Sequence, residues 1–375
     1  SSARESSFGS PGSAVLWTPS VSREAVPIES LPEFNHDVWA GSISADGKTV
    51  AGTGTYLPPG GDWWDVVSTA FIWTAEDGMI SLGLPEDATE SNAEAVSSDG
   101  SVVLVTGLFG DREPGFAGVY REPFIWEQQT GYQSLGPLPS YDGEALSGIV
   151  GGLSKISPDG DVVVVAGVRE SATGVDRVPI LYERGHGFAT IPLQDGASWG
   201  FATVLGDDGE FVVGHSRIGT DTVPFVWDPR RGTRDFRQVL LGEHGFSDDE
   251  LPPLTTVRGM SNDRRVLIGS NPAIEIPGIG FSPPPLWAIL LDKPLIPYRG
   301  DIDENGVIDA ADIDLLTDRL RSGQTDSSFD LNSDGAVSEA DRQFWVHVIN
   351  TTYFGDSNLD GEFDSADLVS VTATG

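Results

Sequence analysis

The stretch Ala40-Gly-Ser-Ile-Ser-Ala-Asp-Gly-Lys-Thr-Val-Ala-Gly52 decides the fold, because the chain repeats it. It returns as Ala93-Glu-Ala-Val-Ser-Ser-Asp-Gly-Ser-Val-Val-Leu-Val105, and again around Ser157-Pro-Asp-Gly160, Gly206-Asp-Asp-Gly209 and Met260-Ser-Asn-Asp263. Each copy is two apolar runs joined by an Asp-Gly or Asn-Asp turn. Tight hairpins need positive φ at such turns, and Gly, Asn and Asp tolerate it best. A second motif follows each copy. It reads Ala70-Phe-Ile-Trp73, then Glu76-Asp-Gly78, then Met79-Ile-Ser-Leu-Gly83. Its echoes are Pro123-Phe-Ile-Trp126 with Tyr132-Gln-Ser-Leu-Gly136, Pro179-Ile-Leu-Tyr182 with Gly187-Phe-Ala-Thr190, Pro224-Phe-Val-Trp227 and the weaker Pro285-Leu-Trp287. Two strand pairs per unit make four antiparallel strands, and radial repetition of such sheets is a propeller.

The spacing therefore predicts a mainly β chain: a five-bladed β-propeller, or a six-bladed one if a blade is degenerate, over residues 38–298. Ala14-Val-Leu-Trp17-Thr-Pro19 is an extra second half, so residues 1–37 are read as a segment with a closing or spare strand at 14–19. The repeats resemble the HAF family of extracellular repeats over about residues 38–290, which implies a secreted β-propeller. The longer loops carry Tyr56, Trp63, Trp64, Phe109, Phe116, Tyr120 and Trp199. Such rings either form a binding face or pack under their own loops.

Composition agrees with short strands: 46 Gly and 25 Pro interrupt the 39% hydrophobic residues. The net charge of −35 repels phosphate backbones and anionic headgroups, so nucleic acid is an unfavourable partner and cations are favourable ones. The absence of cysteine removes disulfides, thiolate metal sites and cysteine nucleophiles. No apolar run reaches the ~20 residues that span a bilayer, and the polar start at Ser1 is read as that of a processed, exported chain.

From Gly300 onward the composition changes, with 17 acidic residues against three arginines. Three loops share one spacing. The first contains Asp301, Asp303, Asn305, Val307, Asp309 and Asp312; the second contains Asp330, Asn332, Asp334, Ala336, Ser338 and Asp341. The third contains Asp356, Asn358, Asp360, Glu362, Asp364 and Asp367. Oxygens at positions 1, 3 and 5 converge on a calcium ion, and Gly at 6 permits the sharp turn. The carbonyl at 7 adds a ligand, position 9 adds a side chain, and a carboxylate at 12 closes the shell from the following helix. The apolar residue at 8 (Ile308, Val337, Phe363) anchors each loop.

Aspartate at position 12, with Asp341-Arg342-x-Phe344-Trp345-Val346 and the run from Gly355-Asp356, resembles planctomycete dockerin-type proteins over residues 300–375, within a domain read as 299–375. The resemblance implies a small EF-hand-like helical domain that binds Ca2+. Dockerins contact cohesins through loop positions 10 and 11, which here are Ala310-Ala311, Glu339-Ala340 and Ser365-Ala366. These small residues depart from the family pattern and point away from cohesin.

No His-Glu-x-x-His, Walker or dinucleotide signature occurs, and the five histidines are scattered. The sequence is therefore read as non-catalytic. It is expected to be a secreted, extracellular or cell-surface, calcium-binding structural protein. Its partners would be calcium and either copies of itself, joined by strand exchange, or another extracellular protein. The alternative is a glycan-binding or adhesion module that uses the aromatic loop face.

Overall fold

The computed structural model describes residues 15–16, 26–62, 65–110, 119–171, 174–206, 209–271, 275–276, 280–323, 326, 329–332, 334–356, 359 and 362. Five antiparallel sheets follow one another along the chain. Sheet 1 comprises Val38–Ile43, Thr49–Tyr56, Val67–Thr74 and Gly78–Gly83. Sheet 2 comprises Glu90–Val96, Val102–Phe109, Tyr120–Glu127 and Gly131–Ser134. Sheet 3 comprises Gly148–Ile156, Val162–Ser171, Gly174–Glu183 and Gly187–Thr190. Sheet 4 comprises Ala197–Leu205, Val212–Ile218, Asp221–Asp228 and Gly232–Asp235. Sheet 5 has three strands, Thr256–Met260, Val266–Ser270 and Leu286–Leu290. In every sheet the strands lie side by side in chain order.

The repeated turn is a small hydrogen-bonded device. Ser44 Oγ donates to Asp46 Oδ1 at 2.7 Å and accepts from Thr49 N at 3.0 Å, while Asp46 Oδ1 also accepts from Lys48 N at 3.0 Å. Ser97, Asp99 and Val102 repeat it, as do Ser157, Asp159 and Val162. The glycine completes the turn with φ near 71° at Gly47, 78° at Gly100 and 81° at Gly160. In the fifth copy Arg264 holds that position at φ 58°. Its side chain is buried, stacks on Phe211 and Tyr298, and donates to the carbonyls of Ile296 and Pro297 at 3.2 and 3.3 Å. A left-handed arginine costs about 1–2 kcal/mol, and these contacts offset it.

Each sheet packs face to face on the next. Ala51, Ile72 and Leu82 of sheet 1 meet Ala93, Val96 and Val103 of sheet 2. Leu104 and Ile125 then meet Val163, Val165 and Ile180, and Val164 and Ile191 meet Val212 and Phe225. Phe211, Val213 and Val226 of sheet 4 meet Leu267 and Trp287 of sheet 5, with the helix α1, Phe236–Glu243, wedged into the same core. The second strands are buried on both faces, which is why they read as unbroken apolar runs such as Val162-Val-Val-Val165. This is the sheet-on-sheet stacking of propeller blades, and the mainly β reading holds.

Some expectations change. The N-terminal strand is not unpaired: Val15–Leu16 pairs with Val26–Pro27 as a hairpin. Sheet 5 lacks a fourth strand among the described residues, because the chain turns at Leu291 toward the C-terminal segment. The helix α1, whose N-cap Asp235 accepts from Gln238 N at 2.9 Å, was not expected from the repeats. Beyond residue 300 come α2, Ala310–Arg321, and α3, Glu339–Phe344, which runs on through a π-type turn at Trp345–Ile349. Their core is Leu316, Leu331, Trp345 and Val346.

Candidate metal centre

The first acidic loop wraps round the N-terminus of α2. Asp301 Oδ1 accepts from Asn305 N at 3.0 Å and Oδ2 from Gly306 N at 2.9 Å. Gly306, at φ 87°, makes the turn that aims these amides inward. Asp303 and Asn305 bond to each other, and Asn305 Oδ1 accepts from Val307 N at 2.8 Å. Asp309 caps α2 by accepting from Ala311 N at 2.8 Å, and Asp312 returns the bond to Asp309 N at 2.8 Å. The other oxygen of Asp312 accepts from Ile302 N at 2.6 Å and Asp303 N at 3.2 Å.

These bonds bring Asp301, Asp303 and Asp312 together, with ligand oxygens within 4.8 Å of one another and Asp301 and Asp312 buried. Burial, then the neighbouring carboxylates, pushes Asp301 up from its usual carboxyl range. Asp312 is likewise pushed up, first by burial. The amides satisfy only part of the acceptor capacity of these oxygens. What remains is an all-oxygen, acidic set, which suits a hard divalent cation such as calcium rather than a metal that prefers nitrogen or sulfur.

The second loop repeats the first bond for bond. Asp330 accepts from Asp334 N at 3.1 Å and Gly335 N at 2.9 Å, and Gly335 again has φ 87°. Asn332 and Asp334 bond to each other, and Asp334 accepts from Ala336 N. Ser338 caps α3, and Asp341 accepts from Leu331 N, Asn332 N and Ser338 N. Asn332 and Asp334 exchange the acid and amide of Asp303 and Asn305, and Ser338 replaces Asp309, so this loop carries less charge, and among the described residues only the first loop gathers three carboxylates so closely. Ile308 packs against the helical core as expected, and Val337 is half-buried. Of the third loop, Asp356 is buried and Glu362 is exposed, while Asn358, Asp360, Phe363, Asp364 and Asp367 lie outside the described residues.

The sequence did not reveal how the first loop is seated. Glu304, at loop position 4, pairs with Arg231 from the last turn of sheet 4. A side chain at Gly306 would stand 2.7 Å from Pro294 Cδ and 3.1 Å from Arg265 Nη2. Trp345 Nε1 donates to Gly300 O at 2.8 Å. A second charged cluster, also unforeseen, joins sheets 2 and 3. Glu94, half-buried and pushed up chiefly by burial, accepts from Thr106 Oγ1 at 2.9 Å and Gly152 N at 2.6 Å. Lys155 lies beside it, pushed down by burial.

The aromatic loops show little of a binding face. Phe109 is buried and stacks on Tyr120 and Phe124, and Trp199 stacks on Phe201. Tyr56 and Tyr120 are partly exposed, and Trp63, Trp64 and Phe116 lie outside the described residues. Among the described residues no helix is long and apolar enough to cross a membrane.

No family model and no curated protein matches the chain. Solved structures do. A TolB-like protein of Agrobacterium tumefaciens is 14% identical with a TM-score of 0.39, over 66% of this chain and 73% of that one. An oligogalacturonate lyase of Vibrio parahaemolyticus is 12% identical with a TM-score of 0.46, over 71% and 66%. An acylaminoacyl peptidase of Pyrococcus horikoshii is 13% identical with a TM-score of 0.38, over 75% of this chain and 47% of that one. The chain thus spans under half of that peptidase, and likeness at this level says nothing of activity. The expectation of a calcium-binding structural subunit joined by strand exchange, with glycan adhesion as its alternative, is corrected here. The spare strand is paired within the chain, and the loop aromatics Phe109 and Trp199 stack on neighbouring rings.

Proposed function

We propose that residues 299–375 are a dockerin-like calcium-binding domain, seated on the five sheets of a β-propeller of HAF-type repeats over residues 38–298. The ion's role in this reading is intramolecular: it completes the fold of the C-terminal domain and fixes it to the last two sheets. The observation that carries the reading is the cluster of Asp301, Asp303 and Asp312, two of them buried. Gathering buried carboxylates is unfavourable unless a cation compensates them. The second loop, with the same bonds and the same glycine conformation, supports one ion there as well. A location outside the cell belongs to the same reading, since calcium is plentiful there and a cysteine-free chain needs a stabiliser other than disulfides.

The test is calorimetric titration of the chelator-stripped full chain with calcium chloride, followed by thermal unfolding. One ion should bind at each of the first two loops, with a gain of helix and a higher Tm. Heats equal to dilution, with an unchanged Tm in millimolar calcium, would end the proposal.

A further inference from the structure

Three of the four sheet-to-sheet interfaces repeat one contact, in which a turn glycine lies against the first residue of the previous sheet's second strand. A Cβ on Gly100 would stand 2.7 Å from Thr49 Cβ, one on Gly160 2.7 Å from Val102, and one on Gly209 2.6 Å from Val162. At the fourth interface Arg264 stacks on Phe211 instead. Gly47, the turn glycine of sheet 1, meets nothing within 4 Å. At the other end of the series Val266, the counterpart of Phe211, is 37% exposed where Phe211 is 0% exposed.

The rest of both faces agrees. Ile268 on sheet 5 is 51% exposed, against 0% for its counterpart Val213, and Leu286 and Leu290 beside it are 80% and 74% exposed. On sheet 1, Ile43 is 52% exposed and Ala40 is exposed, whereas the matching Val96 and Ala93 of sheet 2 are buried. Only the inner half of sheet 1 is bare. Its outer half is covered by Ile28, which ends the N-terminal hairpin and packs with Val50, Phe71 and Met79. Leu82, Leu135 and Ile191 hold the same place at the end of a fourth strand in the following interfaces. The hairpin Val15–Leu16/Val26–Pro27 is thus the outer pair of a sixth blade whose inner pair is missing among the described residues.

We infer that the space between sheets 5 and 1 is a docking slot for an inserted β-hairpin from another polypeptide. The established interfaces on either side define its chemistry. The guest has two strands of the length of the chain's own inner pairs, five to ten residues. Small apolar residues alternate along it, and an Asp-Gly turn joins its strands. Its turn glycine rests on Val266, as Gly160 rests on Val102, and the first residue of its second strand fills the space over Gly47. Backbone bonds to the open edge of the N-terminal strand supply affinity, and the apolar face supplies register.

The probe is a synthetic peptide of residues 90–109, this chain's own inner hairpin, offered to the full chain in calcium. A photo-crosslinking amino acid is placed in turn at Ile268, at Ile43 and, as a control, at the exposed Val175 on sheet 3. Saturable labelling from 268 and 43 but not 175 is expected. Ile268→Asp should weaken peptide binding at least tenfold, and because Ile268 is already exposed its circular dichroism should be unchanged. Three results overturn the inference. One is no saturable labelling; another is crosslinking of position 268 to the chain's own N-terminal residues, which would mean that the ring closes on itself. The third is crosslinked dimers of the chain alone, which would mean that a second copy fills the slot.

Discussion

His215 lies in the second strand of sheet 4, fully buried, and its Nε2 accepts the Val257 N–H of sheet 5 at 2.9 Å. That bond requires a neutral ring with its proton on Nδ1. Burial first, and the Arg258 guanidinium second, push its pKa down to about 4. The unfolded chain takes up this proton below about pH 6.5, whereas the folded chain resists until about pH 4. The neutral histidine therefore contributes stability that is whole above pH 6.5 and is lost as the pH falls through that window. Linkage gives a loss of roughly 2 kcal/mol between pH 7.5 and 5, and roughly 3 kcal/mol once pH 4 is reached. Sheet 1 supplies the control. Thr53 holds the equivalent place there, and its Oγ1 accepts the Ala93 N–H at 3.2 Å. His215→Thr keeps an acceptor that cannot titrate and leaves a small void, which costs about 2 kcal/mol at pH 7.5. Urea unfolding of both proteins in chelator at pH 7.5 and 5 measures the effect. The variant should lose roughly 2 kcal/mol less than the native chain. Equal losses would refute the assignment of the acid response to His215.

Asp312→Asn removes a ligand and turns an amide donor toward backbone N–H groups, so calcium stoichiometry in calorimetry should fall by one. With calcium at about 100 times Kd, the stabilisation that calcium supplies should drop by about 2.7 kcal/mol. Without calcium the sign of the pH response reverses. The folded-state pKa values of Asp301 and Asp312 are raised, so circular dichroism melts should show the stripped C-terminal domain gaining stability as the pH falls toward the ordinary carboxyl range. Gly214→Ala would set a Cβ 2.6 Å from the Phe225 ring and closer still to the Phe201 carbonyl. It should lose about 3 kcal/mol by denaturant melts, whereas Gly47→Ala, with open space but φ 71°, should lose about 1 kcal/mol. Arg264→Gly relieves the left-handed backbone but deletes charged bonds worth about 1.5–3 kcal/mol each, so the Tm should fall and protease cleavage near residues 291–300 should rise.

Much of the sheet architecture could be read in the sequence, because each repeated residue has a local task. Ser44 and Asp46 build their turn within six residues, and Gly52 sits where the Phe71 ring of the Ala-Phe-x-Trp motif covers the second strand. The acidic loops were legible for the same reason: Asp301, Gly306 and Asp312 bond inside one twelve-residue segment. What the sequence did not show depends on contacts distant in the chain. Arg264 looks like an imperfect turn until Ile296 and Pro297 are seen against it, although an arginine at a glycine position was a usable signal. Glu304 is unremarkable until Arg231, 73 residues earlier, reaches it. Trp17 suggested a spare strand, but its neighbours pair with a partner, Val26–Pro27, too short to carry a periodic pattern.

The placement of the arginines explains why the acidic loops sit where they do. The chain has 22 basic residues against 57 acidic ones, so a random surface would offer an acidic loop mostly repulsion. At the seam between sheets 4 and 5 and the first loop the acids meet arginines one for one. Arg231 pairs with both Glu243 and Glu304, and Arg265 lies against the Gly306 turn. Arg299 pairs with Glu210 of sheet 4, donates to Leu331 O beside the second loop, and stacks on Phe344. Exposed pairs of this kind contribute little individually, but together they set a charge-matched rim around a loop whose buried carboxylates need positive charge. The rim neutralises the outer part of the loop and does not reach Asp301 and Asp312, which are buried behind Gly306. In the proposed reading an ion takes the centre while the arginines match charge at the edge, and by ordering the turn that lies against Pro294 it would couple the C-terminal loop to the last sheet through Gly306.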